Sequence, residues 1–293
     1  MNPEKRTVFV KNAPGRTVNL GFGYFDFEAF RLRRYARLHP NLLLLGAQKS
    51  GTSSLAYYLS YHPEIHLSSP LKEAGFYLFE AWSQRYWRDQ GRPFANPEDM
   101  LRLGMLHGFR GQRYIMDAAT WYTMPETTAC SDVAVRIKAG VEKAVYIVRH
   151  PLERMISAYR NFHQGEEDKG FNTVLESRPE LLETSLYFKQ LRQYIDSLGA
   201  ENICVVIFEK LIADIPASLN KVVRFLGLED ILPMTDYPVL NAARSTSRPL
   251  YSMENFERLR ERLRPDVEQL GDFIGEPLNW EFSPSKWVRT ASR

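Results

Sequence analysis

The chain has 293 residues, 44% hydrophobic and 25% charged, and 38 Lys and Arg against 35 Asp and Glu give a formal net charge of +3. These proportions are those of an ordinary folded chain and exclude general disorder. So even a charge balance argues against a surface built for nucleic acid, and any anion site must be a local pocket.

Residues 1–38 read as an appended arm, in which TVFV suits a strand, APGR a turn and FEAFRLRRYARL a short basic amphipathic helix. Residues 39–293 read as one domain. It opens with the apolar run Leu42–Leu45, the pattern of a strand buried on both faces of a parallel sheet. The run stops at Gly46, and a helical stripe of Leu55, Tyr58, Leu59 and His62 follows from about Ser53 until Pro63. Residues 80–112 dissolve into Trp, Arg, Gly and Pro, which suits a surface insertion near a site. Further strands are predicted at Ala144–Val148 and Ile203–Phe208. Helices are predicted from about Leu152, over 184–198, from Ala217 to Leu226 closing on Gly227, and over 252–264. Strands alternating with helices predict an α/β fold, a parallel sheet flanked by helices on both faces.

Two cysteines, Cys130 and Cys204, have neither CxxC spacing nor clustered histidines. They suggest no disulfide framework and no zinc site, but free thiols in a reducing, cytoplasmic setting. The amino terminus has no apolar signal core, and no run approaches the ~20 apolar residues of a membrane span.

Gly46-Ala47-Gln48-Lys49-Ser50-Gly51-Thr52-Ser53-Ser54 joins the first strand to the first helix. Backbone N–H groups at the positive end of a helix form an anion cradle. Gly51 permits close approach, hydroxyls add donors, and Lys49 adds a full charge. A Walker loop places its lysine after the last glycine, whereas here the lysine comes first. Taken alone, the loop reads either as a phosphate cradle or as a Ser/Thr-rich helix cap with an incidental lysine. A second element, Val148-Arg149-His150-Pro151-Leu152-Glu153-Arg154-Met155-Ile156-Ser157-Ala158-Tyr159, places an arginine at a strand's carboxyl end and a hydroxyl eight residues later on the following helix. Open α/β sheets bind ligands at those ends, and an arginine fork suits a phosphate. A solvated helix start is the other reading of the same residues.

The order K-S-G-T-[ST] after an apolar strand resembles the 5′-phosphosulfate loop of sulfotransferases that use 3′-phosphoadenosine 5′-phosphosulfate (PAPS). R-x-P-x-x-R-x-x-S-x-Y resembles the 3′-phosphate element of the same family, and the likeness runs from residue 41 to about 230. The resemblance implies a P-loop-like fold, PAPS as co-substrate and adenosine 3′,5′-bisphosphate (PAP) as product. It implies that Lys49 contacts the leaving phosphate and bridging oxygen, and that Ser50, Gly51, Thr52 and Ser53 hold the 5′-phosphate. Arg149 and Ser157 then take the 3′-phosphate, and Arg154 and Tyr159 support local structure. Arg244 and Arg248 fall where many members place a basic loop over the 3′-phosphate.

Leu71-Lys72-Glu73-Ala74-Gly75-Phe76-Tyr77 resembles the K-E-x-x-F-[FY] stretch of glycosaminoglycan-type and related bacterial members, which implies Glu73 as catalytic base, with Lys72 holding it ionised or binding the donor sulfate. Gly75 stands where many relatives have histidine, and Ala118 where relatives have a lysine after the acidic position occupied here by Asp117. His62 and His66 are rival bases. Trp82, Tyr86, Trp87, Trp121, Tyr122 and Phe162 are read either as an aromatic acceptor wall or as core and rim packing. The acceptor is expected to be a carbohydrate or small molecule, and the reaction in-line and independent of metal. A non-catalytic PAPS-fold binding protein and a P-loop-type nucleotide kinase are the competing readings.

Overall fold

The structure of the protein, a computed structural model, describes residues 38–67, 73–78, 88–89, 91, 96–125, 131–162, 170–230, 237–238, 240 and 249–288. Of the expected arm only Leu38 is among the described residues, and Lys72, Trp82, Tyr86, Trp87, Cys130, Arg244 and Arg248 lie outside them.

Five strands, β1 Leu42–Leu44, β2 Ile65–Leu67, β3 Tyr114–Ala118, β4 Lys143–Val148 and β5 Ile203–Ile207, form one sheet in the order β2-β3-β1-β4-β5. Every pairing is parallel. Side chains alternate between the faces with the pleat. Leu42, Leu44, Met116, Val145, Ile147, Cys204 and Val206 face one side. There they pack against helices α1, Thr52–Leu59, and α5, Ile215–Phe225. Leu43, Ala144, Tyr146, Val148, Val205 and Ile207 face the other side, covered by α2, Ser131–Gly140, and α4, Tyr187–Leu198. Each fully buried leucine or valine contributes about 1.5–3 kcal/mol of burial, so the continuous apolar runs of β1, β4 and β5 suit only a doubly covered sheet. The expected α/β architecture is the observed one.

Helix α3, Pro151–Phe162, follows β4 and packs with α6, Met253–Ile274, in a third apolar cluster. The sequence pattern predicts this helix only over 252–264, and Pro265 follows. The helix runs through it, because Phe256, Leu259, Leu263, Val267 and Leu270 form one buried stripe on both sides of the proline. Their burial outweighs the roughly 3 kcal/mol an interior proline costs. Helix α1 ends at Leu59, earlier than Pro63 implied, and Tyr61 and His62 donate backbone bonds to Tyr58 and Leu59 in a tightened last turn. Among the described residues no helix is long and apolar enough to cross a membrane.

After β1 the chain enters α1 on the first face. After β4 it passes through α3 to α4 on the second. Adjacent strands with connections leaving on opposite faces open a crevice at their carboxyl ends. Both candidate phosphate elements lie at that crevice.

Candidate active site

The loop after β1 is pinned to β4 by backbone bonds. Ala47 N donates to Ile147 O at 2.6 Å, Ile147 N donates to Gly46 O at 2.7 Å, and Ser50 N closes a turn onto Ala47 O at 3.1 Å. Gly51 caps α1 with φ +93°, and no side chain caps the helix start, the arrangement in which first-turn N–H groups serve an anion. Lys49 also has a positive φ, +69°, a conformation a non-glycine residue adopts at a cost of ~1–3 kcal/mol and keeps only where its surroundings over-determine it. Ser50 is fully buried, its Oγ near the Tyr187 side chain but forming no hydrogen bond of full geometry within the protein. A buried hydroxyl so weakly held, in a loop of this shape, is able to turn to a bound phosphate oxygen, since buried polar atoms seek partners.

The second element meets the first. Arg149 stands at the end of β4, its guanidinium 4.9 Å from the centre of the Phe208 ring and 3.6 Å from Glu153. The same Phe208 ring closes under Gly51, where a Cβ would lie 2.8 Å from Cδ2 and 2.9 Å from Cε2. One ring therefore supports both the phosphate loop and the arginine. On α3, Asn161 Oδ1 accepts from Lys49 Nζ at 2.9 Å. Ser157 lies four residues before Asn161 on the same helix, hence on the same face. Lys49, Gly51, Arg149 and the Ser157 face of α3 thus converge on one crevice.

The backbone around Arg149 is held on both sides. Tyr187 Oη donates to Arg149 O at 2.7 Å, and Glu209 Oε1 accepts from His150 N at 2.8 Å. Arg154 points away into the core, donating to Ser185 Oγ at 2.7 Å and Leu181 O at 2.6 Å. Tyr159 packs edge-on against Phe171, with centroids 5.0 Å apart. Both have the supporting positions the resemblance implied.

Glu73 sits on the opposite flank of the β1 loop. It has φ +68°, and its N–H donates to Ala118 O at 2.9 Å, at the carboxyl end of β3. Its carboxylate accepts from Thr120 N at 2.6 Å and Thr120 Oγ1 at 3.1 Å. Thr120 in turn borders the phosphate loop: its carbonyl oxygen would lie 3.6 Å from a Cβ on Gly46. Gly75 has φ +63°; its N–H and that of Phe76 donate to Asp117, and this turn conformation suits glycine.

The rival histidines are committed to structure. His62 accepts from Glu64 N and faces Glu229 O. His66 is buried against Phe109 with Nε2 2.6 Å from Met105 O, and burial lowers its pKa below the ordinary value. Tyr122 is fully buried, its hydroxyl donating to Asp117 at 2.7 Å, so it belongs to the core and not to an acceptor wall. Trp121 packs partly buried against the second-face core.

Thr120, Asn161, Phe208 and Glu209 were not singled out from the sequence. Each acts through a partner far away in the chain. Phe208 entered only as the last residue of a predicted strand.

A wholly parallel sheet with two loop–helix elements meeting at adjoining strand ends defines a P-loop-like α/β protein. The model of the sulfotransferase family matches residues 40–231, more than half of the chain, and the chain belongs to that family. A sulfotransferase from Alicyclobacillus acidocaldarius, known by crystal structure, superimposes with a TM-score of 0.63 at 25% identity, covering 82% of this chain and 98% of that one. Human heparan sulfate glucosamine 3-O-sulfotransferase 3B1 is 22% identical over 276 residues, covering 83% of this chain and 65% of that protein. Human heparan sulfate glucosamine 3-O-sulfotransferase 5 is 23% identical over 214 residues, covering 69% of this chain and 57% of that protein. The chain thus spans under two thirds of the length of these human relatives.

Proposed function

We propose that the protein transfers a sulfuryl group from PAPS to an acceptor hydroxyl or amine, releasing PAP. The observation that carries this reading is the shared Phe208 ring, which joins the Lys49 loop to Arg149 in one crevice. In this reading Ser50, Gly51, Thr52 and Ser53 hold the 5′-phosphate through backbone and hydroxyl donors. Arg149 and Ser157 hold the 3′-phosphate. Lys49 neutralises charge on the bridging oxygen as the S–O bond breaks. Glu73 takes the proton of the attacking group, its carboxylate aimed by Thr120. Transfer is in-line, and positioning with electrostatics supplies most of the rate without a metal.

A carbohydrate hydroxyl is the favoured acceptor class, supported by the names of the human relatives. The catalytic domain is residues 39–293 and residues 1–38 are an accessory arm. A cytoplasmic setting suits Cys204, a buried free thiol.

A thermal-shift comparison tests the donor: PAP raises the Tm and ATP does not, because a ligand that binds only the native state stabilises it by mass action. Radiolabelled sulfate transfer from PAPS into a panel of glucosamine-containing oligosaccharides, simple sugars, phenols and alcohols tests the reaction. A PAP shift with no transfer to any acceptor leaves a binding protein, and an ATP shift without a PAP shift favours a kinase.

A further inference from the structure

We infer that Asp117 is a positioning residue of the transfer reaction, clamping the turn that carries Glu73 to the end of β3; this rests on the reading of Glu73 as the base. Asp117 is fully buried, and in the register of the sheet it pairs with Leu43 on the face covered by apolar side chains. An isolated carboxylate there is costly to desolvate unless it is hydrogen-bonded. It accepts three bonds: from Gly75 N at 3.2 Å, Phe76 N at 2.7 Å and Tyr122 Oη at 2.7 Å. Tyr122 Oη also accepts from Tyr77 N at 3.2 Å. Three successive amides, Gly75, Phe76 and Tyr77, are therefore tied directly or through one hydroxyl to a single carboxylate.

The turn needs such a tie. Two of its residues, Glu73 and Gly75, have positive φ, and Glu73 pays for its left-handed backbone as an L-residue with a side chain. Glu73 N bonds to Ala118 O, beside Asp117 in β3. Asp117 and Ala118 thus fix the backbone on both sides of Ala74, while Thr120 fixes the carboxylate of Glu73. Asp117 itself is sealed from the crevice, so it acts through the turn and touches no reacting atom.

Asp117→Asn keeps the shape and removes the charge and one acceptor oxygen. Four measurements on the full chain test the inference: PAP affinity, Tm, amide hydrogen exchange, and kcat with the best acceptor of the panel above. The expected result is a kcat loss of about 100-fold, the scale of an ångström misplacement. The PAP Kd stays within about twofold, Tm stays within about 4 °C, and the Gly75 and Phe76 amides exchange about tenfold faster. Because Asp117 acts through Glu73, Asp117→Asn adds less than about threefold to the loss caused by Glu73→Gln. Tyr122→Phe, which removes one arm of the clamp, lowers kcat in the same direction but less.

Unchanged exchange at both amides, or a kcat within about threefold of wild type, overturns the inference and leaves Glu73 untouched. So does loss of PAP binding together with turnover, the mark of a purely structural role. Multiplying losses in the double variant show a route that bypasses Glu73 and also overturn it. If Glu73→Gln alone keeps full turnover, the base assignment falls first and this inference falls with it.

Discussion

Replacing Gly51 by alanine puts one methyl group where the two phosphate elements meet. Its effect divides into two parts that different assays read. The first is backbone strain. At φ +93° an L-residue with a Cβ costs about 1–2 kcal/mol, which for a chain of this size lowers Tm by roughly 2–8 °C. The second part is the clash. The new Cβ would stand 2.8 and 2.9 Å from two carbons of Phe208, well inside the ~3.5 Å of ordinary carbon contact. The aromatic ring is rigid and must move. Arg149 stacks 4.9 Å above it and moves with it. Loss of a charge-assisted bond from that fork costs about 1.5–3 kcal/mol, a PAP affinity weaker by about 10- to 150-fold. Calorimetric titration with PAP reads the second part and a thermal melt reads the first. A double-mutant cycle with Phe208→Ala separates them further: Phe208→Ala alone weakens PAP by removing the platform, and Gly51→Ala then adds strain but little more loss of affinity. A Gly51→Ala protein with PAP affinity within twofold of wild type and Tm within 1 °C would refute the geometry of the shared ring.

Lys49→Ala lowers turnover by about 10²–10³-fold, the scale of one donor lost from a site of developing charge, while PAP affinity falls less than about tenfold; steady-state transfer and PAP titration check the split. Arg149→Lys keeps the charge but loses the fork, so PAP weakens by about 10- to 100-fold; ATP, without a 3′-phosphate, shows no matching change by the same titration. Burial, chiefly, and then the nearby Glu73 carboxylate push Asp117 up to about 6. Because that folded value lies above the unfolded one, the native state holds the extra proton between about pH 4 and pH 6. Stability is therefore fully present at the acid end of this window and falls on the order of 3 kcal/mol as pH rises through it. Urea titrations across the window show that slope in wild type and its absence in Asp117→Asn.

The strands and helices that could be read from sequence were those whose burial repeats along the chain. Leu42–Leu44, Lys143–Val148 and Ile203–Ile207 are buried on both faces and announce themselves as apolar runs. Strand β3 does not, because Asp117 interrupts YIMDA with a carboxylate that only its distant partners explain. Strand β2 has three residues, one of them His66, too few for any period. Lys49 and Arg149 were legible because each lies in a local strand–loop–helix pattern with its own chemistry. Thr120 was not: it meets Glu73 across 47 residues, and neither residue's neighbours carry a trace of the other. Phe208 read as the tail of a strand. Its place under Gly51 and Arg149 follows from β5 lying beside β4 in the sheet, a relation that no local pattern contains.

The sheet order also bears on the geometry of the proposed reaction. In the order β3-β1-β4, the phosphate loop is central, Arg149 and α3 stand on the β4 side, and Glu73 and Thr120 stand on the β3 side. In the proposed reading, a donor lying from the β1 loop toward β4 would present its far phosphate to Arg149 and leave the sulfuryl group facing β3. The acceptor must then approach from the flank where Glu73 is held. Attack and departure would then fall on opposite sides of the sulfur, which is what in-line transfer requires. What keeps base and nucleotide apart in the proposed reading is that β1 lies between β3 and β4, so the topology as well as the residues belongs to that mechanism.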